Sequence, residues 1–105
     1  MSNGPVVVVI HYQARPGMGP VAERELAALI AEVVAKEPDC ASIRVHRDLD
    51  DPDRLLLYEV WTSREAYSGP HLETPHILAF RARAQRFVVG PPTITYWRET
   101  GVVRR

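Results

Sequence analysis

Residues 41–62 read ASIRVHRDLDDPDRLLLYEVWT. From Ala41 to about Leu49, Ile43, Val45, Arg47 and Leu49 alternate with Ser42, Arg44, His46 and Asp48, the period-two pattern of a strand. Asp50, Asp51, Pro52 and Asp53 then supply a preset φ and short side chains that hydrogen-bond their own backbone, which marks a turn. A second strand starts at Arg54 and runs to Thr62. Two strands joined by so short a connection fold back on each other, so the stretch predicts an antiparallel hairpin.

Upstream, the β-branched run from Val6 to Tyr12 lies between Gly4-Pro5 and Pro16-Gly17 and predicts a central strand buried on both faces. Between it and the hairpin, Val21, Leu26, Leu29, Ile30, Val33 and Val34 recur at helical spacing from Pro20 to Lys36. A Glu-rich first turn, Lys36 in the last turn and Pro38 beyond it agree with the dipole and the stop of that helix. Downstream, Ser63 ahead of Glu65 and Ala66 predicts an N-cap, and Gly69-Pro70 cuts the helix it starts. A second helical piece begins around Leu72 to Pro75 and continues through Ile77, Leu78, Phe80, Ala84 and Phe87. It ends before Gly90-Pro91-Pro92, and Thr93 to Arg98 alternate as a last strand.

The order strand, helix, strand, strand, helix, strand is the ferredoxin-like βαββαβ arrangement of the α+β class: one four-stranded antiparallel sheet with its helices on one face. Its second face is left bare. An apolar face of that kind predicts a homodimer, with the C-terminal GVVRR tail crossing to the partner.

The 105 residues leave room for a single domain, 1–105. With 46% hydrophobic and 25% charged residues the chain is an ordinary globular one, which excludes a disordered or disulfide-stapled protein. Thirteen basic residues balance thirteen acidic ones, so the basic excess of a nucleic-acid binder is missing. Lys36 is the one lysine; the Arg, Ala, Val and Pro usage points to a GC-rich bacterial genome. A lone cysteine, Cys40, forms no intramolecular disulfide and predicts a small buried residue in a reducing compartment. The N-terminus has no basic leader and its apolar run is too short to cross a membrane, so the expected location is cytoplasmic.

Unusual residues concentrate in LLLYEVWTSREAYSGPHLETPHILAFRAR, Leu55 to Arg83. Leu57, Glu59 and Trp61 share one face of their strand, and a carboxylate between apolar neighbours is costly unless paired or functional. The plain reading pairs Glu59 with Arg44 across the hairpin, and makes Trp61 a core aromatic as readily as a pocket wall. His71 follows the helix break and His76 lies five residues on. The plain reading is a solvated or capping histidine; the functional one is a side chain facing a crevice. His71, Glu73 and His76 do not share a helical face and lack the HExxH spacing, so no metal site is expected. No phosphate-cradling loop and no GxSxG elbow occur, and Cys40 has no basic neighbour to activate it.

The hairpin turn, Tyr58-Glu59-x-Trp61, Ser63-x-Glu65-Ala66 and His71-x-x-x-Pro75-His76 together resemble the signature of the antibiotic biosynthesis monooxygenase domain, a family of dimeric α+β barrel proteins. The resemblance implies a cofactor-independent monooxygenase that deprotonates an aromatic, polyketide or quinol-like molecule and lets the carbanion meet dioxygen, without metal, flavin or heme. It carries the tryptophan of the polyketide-anthrone branch to Trp61, its helix tyrosine to Tyr67 and its arginine to Arg81. The asparagine of that branch falls on Leu57, and its strand-two tyrosine near Val45 or His46, both departures. His71 matches the recurrent histidine of the quinol-oxidising branch. The implied catalytic set is therefore His71 as base with Tyr67 and Arg81; Trp61, Glu59, His46, Leu57 and His76 are the candidate substrate contacts. The alternative is a non-catalytic dimeric small-molecule-binding or stress-associated protein of the same fold, which Leu57 favours.

Overall fold

The structure, a computed structural model, describes residues 4–105; the leader reading therefore lies in part outside the described residues. Strand β1, Val6–Gln13, is followed by helix α1, Gly19–Lys36, and by the hairpin strands β2, Cys40–Arg47, and β3, Arg54–Trp61. Helix α2, Arg64–Ser68, a 3₁₀ turn, Pro70–Glu73, and helix α3, Pro75–Ala84, lead to strand β4, Thr93–Trp97. The sheet order is β2-β3-β1-β4 with every neighbouring pair antiparallel, the ferredoxin-like topology that the element order predicts.

Alternation decides the faces. Val6, Val8 and Ile10 of β1 and Leu55, Leu57, Glu59 and Trp61 of β3 point toward the helices and are buried. Ala22, Leu26, Leu29 and Val33, one stripe of α1, close over them. On the other face Val9, Leu56, Tyr58 and Val60 are half-buried and Trp97 is exposed, so β1 is fully buried on the helix side and only partly on the outer side.

Three local expectations are corrected. The first turn of α1 holds no acidic residue, because the helix starts at Gly19 and Glu23 falls beyond that turn. Its N-terminus is instead served from a distance: Asp53 accepts from the N–H groups of Gly17 (2.9 Å) and Gly19 (2.8 Å). Gly19 is needed there, since a Cβ would lie 1.9 Å from the Pro52 carbonyl oxygen. Strand β2 stops at Arg47 rather than Leu49, because Asp48 turns the chain by accepting the Asp50 N–H at 2.8 Å and leaves Leu49 in solvent. Helix α3 ends at Ala84 rather than Phe87, where the chain joins the end of β1: Val89 N–H donates to Gln13, and Val88 bridges Ala14.

Candidate active site

The helix break builds the site. Ser63 Oγ accepts the Ala66 N–H at 3.1 Å and starts α2; at Gly69 a Cβ would press on the Glu65 carbonyl oxygen at 2.8 Å, and Pro70 opens the 3₁₀ turn. Thr74 Oγ1 ties that turn by donating to the His71 carbonyl at 2.8 Å. The turn drives His71 inward, 4% exposed, with its ring 4.6 Å from Trp61 and 5.0 Å from Tyr67. The capping or solvated reading of His71 is therefore replaced by a buried imidazole.

Glu37, the residue that ends α1 in an extended conformation, places both carboxylate oxygens 2.9 Å from His71 Nδ1. A carboxylate accepts, so this network assigns the His71 hydrogen to Nδ1 and leaves a lone pair on Nε2. Among the described residues Nε2 has no hydrogen-bond partner, yet no fully buried side-chain polar atom lacks one. Nε2 therefore opens on the cavity that His71 lines. Burial holds the imidazole below its usual range, against the opposing pull of the Glu37 bond. His76 meets Glu37 from the other side, Nε2 to oxygen at 2.6 Å, and its Nδ1 lies 3.9 Å from Glu32.

The cavity, about 520 Å³, runs between the sheet and the helices. Its walls are apolar: Ile10 and Ile94 of the sheet, Leu29, Ile30 and Val33 of α1, Ile77 and Phe80 of α3, with Pro91 and Pro92 at one side. Tyr12, Glu59, Tyr67, His71, Arg15, Arg81 and Gln85 are its polar residues. Such a site, mostly apolar with a few convergent polar atoms, suits a small, largely hydrophobic molecule.

Among the described residues, no cation pairs with Glu59. Arg44 pairs with Tyr58 on the outer face, so the expected Glu59–Arg44 bridge is absent: cross-strand partners share a face, and Glu59 faces Ile43. Its Oε1 accepts the Trp61 Nε1–H at 2.8 Å. Burial pushes the Glu59 carboxyl up to about 7, the Trp61 bond drawing it down and the Glu37 charge adding to the rise. The Tyr12 and Tyr67 phenols are held above their usual range, chiefly by burial, and remain hydrogen donors at neutral pH. Cys40 is buried and its thiol is pushed up to about 12, chiefly by burial, so it stays an inert core residue.

The structure thus brings His71, Tyr67, Arg81, Glu59 and Leu57 to one cavity. Trp61 stands behind it, 1% exposed, with its N–H committed to Glu59 rather than free for an oxyanion. His76 is also set back, behind Glu37. His46 lies on the outer face of the sheet, beside His11 and Arg47 in a separate recess, because it is paired with Leu56 and not with an inward residue. Among the polar cavity and support residues, Tyr12, Arg15, Gln85 and Glu37 escape the sequence reading. Tyr12 follows the inward parity of Val8 and Ile10 and was legible; Glu37 has no local signal, since its role depends on where α1 ends relative to the broken helix.

Glu73, grouped with the histidines on sequence, is exposed. Glu37, His71 and His76 instead present ligand-type atoms within 4.8 Å of one another, a two-imidazole, one-carboxylate set of the kind a divalent ion uses. Spacing along the chain concealed this cluster. Contacts of 2.6 and 2.9 Å are the lengths of N–H···O hydrogen bonds, and both nitrogens already have the carboxylate as partner.

The model of the antibiotic biosynthesis monooxygenase family matches residues 5–83. Rv0793 from Mycobacterium tuberculosis is 26% identical over 95% of this chain and 99% of its own, with a TM-score of 0.78. PA3566 from Pseudomonas aeruginosa is 25% identical over 94% and 97%, with a TM-score of 0.81. A conserved protein from Methanosarcina mazei, 21% identical over 92% and 94% with a TM-score of 0.79, shares the fold. No curated protein matches the chain.

Proposed function

The chain belongs to the antibiotic biosynthesis monooxygenase family, and from that premise we propose that it is a cofactor-independent monooxygenase of an electron-rich aromatic, polyketide or quinol-like molecule. The observation that carries the reading is the His71 imidazole: Nδ1 pinned by Glu37 and Nε2 open on an apolar cavity. A neutral base so oriented removes an activated C–H or phenolic proton near pH 7. Glu37 stabilises the imidazolium that forms, as an orienting carboxylate does in hydrolytic triads. Arg81 and the Tyr12 and Tyr67 hydroxyls stand around the same cavity to hold the oxyanion. The apolar walls keep water from the carbanion while dioxygen, the second substrate, reacts with it.

The reading includes a homodimer joined through the outer sheet face, where Val9, Tyr58 and Val60 are half-buried and Trp97 is exposed. It also includes a cytoplasmic setting, suited to the lone reduced Cys40; no described helix is long and apolar enough to cross a membrane. No metal, flavin or heme takes part, and no nucleic acid is a partner.

The test is oxygen uptake by the purified protein with anthrone and with a naphthoquinol. We expect turnover that His71→Ala lowers by about 10²-fold or more. A second reading, a binding protein without chemistry, draws on Leu57: it lines the cavity as an apolar residue at the position to which the resemblance carries the asparagine of the polyketide branch. Tight ligand binding with no oxygen uptake above buffer would establish it.

A further inference from the structure

Glu59 and His71 are alike in one respect. Each is a buried titratable side chain with one polar atom held by the protein and the other open to the same cavity. Oε1 of Glu59 takes the Trp61 N–H and Nδ1 of His71 meets Glu37. Among the described residues, Oε2 of Glu59, like Nε2 of His71, has no partner and is not fully buried. The Trp61 indole lies between them, its nitrogen 2.8 Å from Glu59 and its rings 4.6 Å from the imidazole, so both groups are mounted on one rigid, buried support.

We propose that Glu59 is the acid partner of His71, a catalytic residue that protonates the peroxide formed on the substrate and later removes the substrate's second proton. The proposal rests on the oxygenase reading above and deepens it. For a substrate with an activated CH₂, His71 Nε2 takes one proton and leaves a carbanion. The carbanion transfers an electron to dioxygen, and the resulting radical pair joins as a C–O bond, giving a peroxide anion. Glu59 Oε2–H protonates that anion to the hydroperoxide. The Glu59 carboxylate then takes the remaining proton on carbon as the O–O bond breaks; carbon becomes a carbonyl, and the departing hydroxide takes the proton stored on His71. The sum is CH₂ plus O₂ to C=O plus water, with carbon oxidised, dioxygen reduced and both side chains restored.

The environments agree with this division. Burial raises a carboxyl and lowers an imidazole, so near neutrality one is a proton source and the other a proton acceptor. Neither role requires a further cofactor.

Glu59→Gln tests it. The amide keeps an acceptor for Trp61 but holds no transferable proton. With anthrone under air we expect at least about a 10²-fold loss of ketone formation. Under nitrogen in D₂O, exchange of the anthrone CH₂ should stay within about threefold of the parent, since His71 still performs that step; His71→Ala should lose both. Carboxyl ¹³C NMR of the parent at pH 6 should find Glu59 protonated. Ketone formation by Glu59→Gln within about threefold of the parent, or an ionised Glu59 at pH 6, overturns the proposal. If the parent neither exchanges nor oxidises anthrone, the oxygenase reading fails for that substrate, and the carboxyl NMR still decides whether Glu59 is the proton donor.

Discussion

A buried carboxyl that accepts one N–H and faces no cation is tolerated best as the neutral acid, and this makes Glu59 a pH-dependent term in folding. Its folded pKa, about 7, lies above the usual 4.5. Between those values the folded chain holds the proton and the unfolded chain has released it, so stability falls as pH rises through that window and levels off above it. The slope is at most about 1.4 kcal/mol per pH unit. Urea denaturation of Glu59→Gln should show that decline flattened between pH 5 and pH 7.5, with the variant at least as stable as the parent at the upper end; an unchanged slope would show that Glu59 is ionised throughout. His71 acts in the opposite sense: burial lowers it, so its contribution is lost as pH falls below the ordinary imidazole value. Glu37 is expected to act on rate through His71. Glu37→Gln loses the charge that holds Nδ1–H, and turnover should fall by about 10- to 10²-fold, as for other orienting partners. A kcat–pH profile whose lower limb is displaced in that variant would separate this effect from simple unfolding. The identities of His71 and Glu59 as unusual residues were legible from their neighbours in sequence. Their partners were not: Arg44 pairs with Tyr58 on the other face, Trp61 stands two residues from Glu59 on the same face without marking itself as its donor, and Glu37 is 34 residues from His71.

Elements show where local rules hold and where distant groups override them. Ser63 as a cap and Gly69-Pro70 as a break are properties of a few consecutive residues, and both occur at the expected positions. The start of α1 obeys a different cause. Asp53, beyond β2 in sequence, accepts two N–H groups at that helix end. Asp53→Ala should therefore destabilise by about 1–2 kcal/mol, more than an exposed aspartate in a turn would. Gly19→Ala, whose Cβ would meet a backbone oxygen, should cost about 2 kcal/mol or more. Chemical denaturation of both variants checks this; if Gly19→Ala matches the parent, the two segments are farther apart than the structure has them.

At the scale of the whole molecule, the proposed homodimer is the one that covers the outer sheet face. Val9→Asp and Tyr58→Glu place charge on that face without touching the cavity. Sedimentation should give twice the chain mass for the parent and the single-chain mass for the double variant. A parent that sediments as a single chain at micromolar concentration removes the homodimer. Prolonged dialysis against a chelator should leave oxygen uptake unchanged and the protein colourless. Stoichiometric zinc or iron retained by the parent and lost in Glu37→Gln would mark the Glu37, His71 and His76 cluster as a metal centre instead.

The sequence by itself determined the four strands, the long helix, the broken helix and the inward set Leu57, Glu59 and Trp61, because alternation, helical spacing and turn chemistry act over a few residues. Only the tertiary structure decided that Glu37 and His76 support His71, that Trp61 serves Glu59 from behind the cavity wall, and that His46 faces away from it. The first joins the end of α1, the 3₁₀ turn and the start of α3, which meet only once the helices have packed; the other two depend on which side of the sheet those helices cover.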